Sequence, residues 1–156
     1  MLPLTMHRLG TITDAHGHPV VDAHYSPDHH VLYVQWFGNL TGHEVVSATQ
    51  ELLKFRSQYR LPLLLNDKSQ ATGDWSDAID WLEYEWLPQA VQEGLRAIAY
   101  VFSPDVHNQL VSLSFLERMR QYVPIRAFGT VPDAWLWLRT QPRTHRGATS
   151  LGKPSA

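Results

Sequence analysis

Leu61-Pro62-Leu63-Leu64-Leu65-Asn66 is a short unbroken apolar run, and Arg96 to Phe102 (RAIAYVF) is a second one downstream. Continuous apolar runs of this length suit strands covered on both faces, and Pro62 stands near the start of its run, where a missing N–H is tolerated. Between the runs, Trp75, Ile79, Leu82, Trp86 and Ala90 recur at spacings of three and four, the core-facing stripe of an amphipathic helix spanning roughly 75–93. Gly94 is placed to close that helix as its C′ residue. Strand, helix, strand is a crossover unit, and such units join parallel strands with a right-handed turn.

The pattern extends in both directions. Upstream, Thr41-Gly42-His43-Glu44 has capping-box form, and Val45, Ala48, Leu52, Phe55 and Tyr59 continue it as a first amphipathic helix. Before that, Val20 to Tyr25 and Val31 to Phe37, joined by Ser26-Pro27-Asp28-His29, read as a hairpin. Downstream, Ser103-Pro104-Asp105 reads as N-cap, N1 and acidic first turn of a helix to about Tyr122. Val123 to Phe128 is a last strand, and Thr130-Val131-Pro132-Asp133 opens a short helix through Trp135, Leu136 and Leu138. The order β-β-α-β-α-β-α-β-α predicts an α/β fold: a single layered domain over 20–140, with a mixed, mostly parallel five-stranded sheet and about four helices. Residues 1–19 hold Pro3, Gly10, Gly17 and Pro19 with little periodicity and are expected to be flexible; 141–156 is expected to be a disordered basic tail.

Composition narrows the function classes. At 156 residues, 44% hydrophobic and 18% charged, the chain has material for one core and is too apolar for disorder throughout. It has no cysteine, which excludes disulfides and thiolate metal sites, and a reducing cytoplasm is the expected compartment. No signal-like segment or run of roughly 20 apolar residues is present, so no membrane span is expected. The net charge of −2 averages unlike parts, because residues 1–140 hold ten basic side chains against fifteen acidic. Asp67, Asp74, Asp77, Asp80, Glu83, Glu85 and Glu93 cluster on and before the second helix against Lys68 alone. A face of that charge repels phosphates, and a nucleic-acid partner is not expected.

Several residues also carry a family likeness. Leu32-Tyr33-Val34-Gln35-Trp36-Phe37-Gly38, Asn66-Asp67, Trp81, Trp86-Leu87-Pro88, Gly94 and Ala97 to Val101, in this element order, resemble the STAS or SpoIIAA-like fold. Closer still is the likeness to small bacterial STAS-like proteins of STAS/SEC14 type. The resemblance covers roughly 20–140 and implies a protein-interaction or regulatory module, often non-enzymatic, with no cofactor. In the anti-sigma antagonist branch, a phosphorylated Ser or Thr lies in an Asp-Ser-Ser/Thr-Gly stretch after the third strand. Here that region reads Asp67-Lys68-Ser69-Gln70-Ala71-Thr72-Gly73, and the motif is absent.

Ligands of open α/β sheets sit off the carboxyl ends of the strands near a topological switch, which makes Asp67, Lys68, Ser69, Asp105 and His107 a candidate binding crevice. Asp67 orienting His107 as a base would suit a hydrolase or isomerase, and Lys68 with free helix amides would suit an anion. The alternative is structural: Ser103, Asp105 and Thr130 as caps, Asp67 as a turn residue. Phosphate-loop, dinucleotide, nucleophile-elbow and HExxH signatures are all missing, and no catalytic set is assigned. His16, His18, His24, His29 and His30 lack carboxylate or thiolate partners at ligand spacing, so a solvated hairpin without metal is expected.

Two helices carry more apolar surface than one contact needs. Trp81, Tyr84, Leu87, Pro88 and Val91 form a second band on the second helix, where Pro88 predicts a kink near Tyr84. On the third, Val106, Leu110 and Leu113 form one stripe and Val111, Phe115 and Tyr122 another. Trp81, Tyr84, Pro88, Val111, Phe115 and Tyr122 are therefore the candidate interface of a homodimer or another protein complex, unless a neighbouring helix covers them. Three readings follow: an interaction module, a small-molecule or lipid-binding protein with an aromatic-lined apolar pocket, and the Asp67–His107 enzyme.

Overall fold

Main-chain pairing carries the strand that starts at Leu63 well past its apolar run. In the computed structural model, which describes residues 6–142, this strand (β4) spans Leu63–Thr72 and includes most of the polar stretch between the apolar run and the second helix. Residues 63–67 are paired on both sides, with β3 (Val31–Asn39) and β5 (Ala97–Val101), and beyond Asp67 the ladder with β3 alone holds residues whose side chains carry no strand pattern. The remaining strands are β1 (His7–Thr13), β2 (Pro19–Ser26) and β6 (Ile125–Phe128). The first helix is Gly42–Tyr59, a composite helix occupies 76–92, the third helix is Val106–Met119 and the last is Val131–Leu138.

The α/β class and the mixed sheet stand, but the sheet has six strands, not five, in the order β1-β2-β3-β4-β5-β6. Pairs β1·β2 and β2·β3 are antiparallel and the other three are parallel. The additional strand is β1, in the segment expected to be flexible. As an edge strand it needs only one partner, and its two apolar contacts with the core, Leu9 and Ile12, are too sparse to give a strand signature. The basic tail lies outside the described residues except for Gln141 and Pro142, and residues 1–5 lie outside them as well.

Consecutive strand order puts the first, composite and third helices on one face, where they enclose the larger core, while the last helix covers the other face with Ala134, Trp135 and Leu138. A sheet built in one direction has no point at which strand order reverses, so the crevice expected at a switch is not created.

Local signals account for the helix ends. The Thr41/Glu44 capping box is formed in both directions. The third helix is capped by Asp105, which accepts from the Asn108 amide, rather than by Ser103; the Ser103 hydroxyl donates to the Ala71 carbonyl instead. In the composite helix, the expected distortion before Pro88 takes the form of a π-helical segment, Leu82–Trp86. The Leu87 amide bonds to the Leu82 carbonyl, and the widened turn accommodates a proline that supplies no donor.

Gly73 closes β4 at φ +97°, with its amide donating to Asp105. A Cβ there would lie 2.5 Å from Asn39 Oδ1 and 2.6 Å from the Leu40 carbonyl oxygen. Gly73→Ala is expected to cost about 2–3 kcal/mol, combining a disfavoured backbone with overpacking. Gly38→Ala, at φ +85° with open space around it, should cost only about 1–2 kcal/mol. Urea midpoints of the two variants check the ordering, and equal midpoints would contradict it.

Candidate functional site

On β4, Leu64, Asn66 and Lys68 alternate onto the face that carries the larger core, as the two-residue period requires. The register with β3 slips there: Gln35 pairs with Asp67 but Phe37 with Gln70, so Lys68 and Ser69 together oppose Trp36. This bulge reverses the alternation, so that Ala71 enters the core while Lys68 stays inside. The lysine is 1% exposed.

Lys68 is surrounded by ring faces. Its Nζ lies 3.7 Å from the Trp75 ring centroid, 4.7 Å from that of Trp36 and 6.0 Å from that of Tyr100. Among the described residues, no carboxylate pairs with it. A desolvated ring contributes about 2 kcal/mol or more to holding a cation, and removing an ammonium from water costs several kcal/mol even after relaxation. Burial dominates and pushes the Lys68 ammonium well below its usual range, toward the neutral amine.

The amine borders a cavity of about 50 Å³ between the sheet, the first helix and the composite helix. This is room for a few waters or one small organic group. The walls are mostly apolar: Val34, Leu52, Leu82, Trp86, Ile98 and Phe115. Arg56, on the buried stripe of the first helix, is the other cation at the cavity. Its Nη1 donates to the Leu61 carbonyl, its Nη2 has no partner, and burial brings the guanidinium down to about 10, still charged at neutral pH. The Trp75 indole N–H is also unpartnered. Asn66 Oδ1 is occupied, accepting from Trp36 Nε1 at 2.6 Å. The cavity thus offers unused donors and holds no carboxylate.

No protein-family model, curated protein or solved structure matches this chain. The STAS-type likeness rests on the quoted residues alone.

The structure does not gather the expected crevice into one site. Of its five residues, Lys68 alone lines the cavity. Asp67 points to the opposite face of the sheet, accepts from the Tyr33 hydroxyl at 3.0 Å and from the Ser69 amide, and helps burial hold the Tyr33 phenol above its usual range. Ser69 is half-buried at the bulge. Asp105 is engaged as the cap of the third helix, and His107 is exposed on its first turn. Asp67 and the third helix lie on different faces of the sheet, so Asp67 and His107 do not meet. Among the described residues, no group of three or more metal-ligating side chains converges, and no helix is long and apolar enough to cross a membrane.

The candidate interface needs correction as well. Val111 and Phe115 are buried in the core, because the third helix turns that stripe to the sheet. Val106, Leu110 and Leu113 are the ones left exposed, at 65%, 61% and 52%. Tyr84 and Pro88 are exposed and Trp81 is half-buried. Tyr122 donates to Glu83 at 2.7 Å, and with Arg118 it holds that carboxyl below its usual range.

Sequence reasoning missed Arg56, Trp36 and Trp75. The available signal for Arg56 was its place in the series Val45, Thr49, Leu52, Arg56, which puts a guanidinium on the stripe that faces the sheet.

Proposed function

We propose that this chain is a small-molecule-binding protein whose ligand occupies the cavity beside Lys68. The observation that carries the reading is a lysine buried without a counter-ion at the edge of an aromatic-lined space. Close-packed interiors have few voids, and an unpaired buried amine costs stability that a hydrophobic residue would not. Breaks of these packing rules cluster at functional sites. The apolar walls with a few polar groups are the usual composition of such a pocket.

The test uses two probes of a size the cavity admits, acetate and acetamide, in thermal unfolding. A ligand that binds only the native state at one hundred times its Kd stabilises by about 2.7 kcal/mol, a shift of several degrees. At least one probe is expected to raise the Tm of the wild type but not that of Leu82→Phe, which fills the cavity. No shift with either probe at millimolar concentration contradicts the reading.

A second reading, an interaction module of STAS type that self-associates, is favoured by the exposed stripe Val106, Leu110 and Leu113 on one face of the third helix. It predicts a dimer mass by light scattering at tens of micromolar, lost in Leu110→Glu. A monomer mass for the wild type contradicts it.

A further inference from the structure

We infer, resting on the pocket reading above, that the ligand is a small organic carboxylate, its apolar body between the rings and its oxygens taken by Lys68 and Arg56. The inventory of polar groups at the cavity carries this. Lys68 Nζ has only ring faces around it, while Arg56 Nη2 and Trp75 Nε1 have no hydrogen-bond partner. All three are donors. Asn66 Oδ1 already accepts from Trp36, and the Thr49 hydroxyl adds a group that can turn either way. A ligand group that only accepts can take the unpartnered Arg56 and Trp75 hydrogens together. A guanidinium that stays charged, beside an amine able to regain its proton, further selects an anion. The apolar lining favours a single, delocalised negative charge over a phosphate, whose second charge would have to be desolvated in the same small volume.

The body of the ligand follows from the walls. Trp75, Trp86 and Phe115 stack around the space, with ring centroids 5.8 Å apart for Trp75–Phe115 and 6.5 Å for Trp86–Phe115. About 50 Å³ is well below the roughly 150 Å³ of a cavity that takes benzene, so the space admits a carboxylate with a body of one or two carbons, such as acetate, and leaves no room for a ring or an acyl tail.

Binding carries a proton with it. The titratable groups around Lys68 are Arg56 from the first helix, which itself feels the charge of Glu93, and Tyr100 from β5, whose phenol is pushed up by burial; the Lys68 shift itself comes from burial. The composite helix contributes Leu82 and Trp86 and the third helix Phe115, none of which titrates. An arriving carboxylate supplies the missing counter-charge, and Lys68 takes up a proton from solvent as the pair forms.

Titration calorimetry of the full chain with acetate and with its neutral near-isostere acetamide, in two buffers of different ionisation enthalpy, tests this. The wild type is expected to bind acetate at least tenfold more tightly than acetamide, with uptake approaching one proton per acetate. Lys68→Met should reduce the preference to within about threefold and abolish the uptake. Lys68→Gln, which retains a donor without the charge, should do the same if the methionine perturbs packing. Equal affinities in the wild type, or an acetate preference that persists in both variants without proton uptake, overturns the carboxylate assignment and leaves the pocket reading intact. No binding of either probe overturns both.

Discussion

Lys68→Met is expected to stabilise the protein by about 2 kcal/mol at pH 7. Methionine matches the length of the lysine side chain, keeps the contact with Trp75 and adds a favourable sulfur–aromatic interaction. It removes a group in the cavity wall that must either lose its proton or remain charged away from water. Replacing buried charged groups with well-packed hydrophobic ones gains about 1–4 kcal/mol elsewhere, which sets the scale. The gain should be pH-dependent, with a definite sign. In the unfolded chain Lys68 keeps its proton up to about 10.5, while in the native state burial has lowered that value, so over the interval between the two the unfolded state binds more protons. Wild-type stability therefore rises with pH across this interval, by up to about 1.4 kcal/mol per unit, and the advantage of Lys68→Met shrinks toward pH 10. Tyr33 and Tyr100, whose phenols are raised, work in the opposite direction above pH 10, but they are common to both proteins and cancel in the difference. Urea denaturation of both proteins at pH 7 and pH 9.5 measures it. A destabilised Lys68→Met with a pH-independent difference would mean that the lysine is paired.

Trp135→Ala is expected to cost about 3–5 kcal/mol and to lower the Tm by roughly 10 °C. The last helix has only eight residues and holds the second face of the sheet through Ala134, Trp135 and Leu138. Trp135 is 1% exposed, with its ring edge-on to His29 at 5.3 Å, and among the described residues no other helix covers the void it would leave. Leu136, one position on and 56% exposed, provides the comparison: Leu136→Ala should change stability by no more than about 0.5 kcal/mol. Similar losses for the two variants would mean that this helix does not dock as described.

The legible part of the fold was the part in which side chains enforce the structure. The runs at Leu63 and Ala97 are buried on both faces and read as strands, and Trp75 to Ala90 shows its core stripe without ambiguity. The polar end of β4 and the edge strand β1 are held by main-chain pairing, which leaves little trace in residue type. The same difference explains the site. Lys68 was a candidate as a cation able to hold an anion off the carboxyl end of a strand, but it lies within β4, and the bulge that keeps it inside depends on a register that only pairing with β3 defines. Arg56 lay on a visible apolar stripe and was passed over because the aliphatic members of that stripe were sufficient to define a helix. The Asp67–His107 pairing failed on topology, since an unreversed strand order puts all three crossover helices on the face that Asp67 does not share.

Lys68 is an uncompensated amine at the edge of a cavity. Its own titration tests this, followed by the ¹³Cε resonance in protein labelled at lysine and assigned with Lys68→Met. An inflection well below the usual lysine range that moves upward when acetate is added is the expected result. An inflection near 10.5, unmoved by acetate, would contradict it.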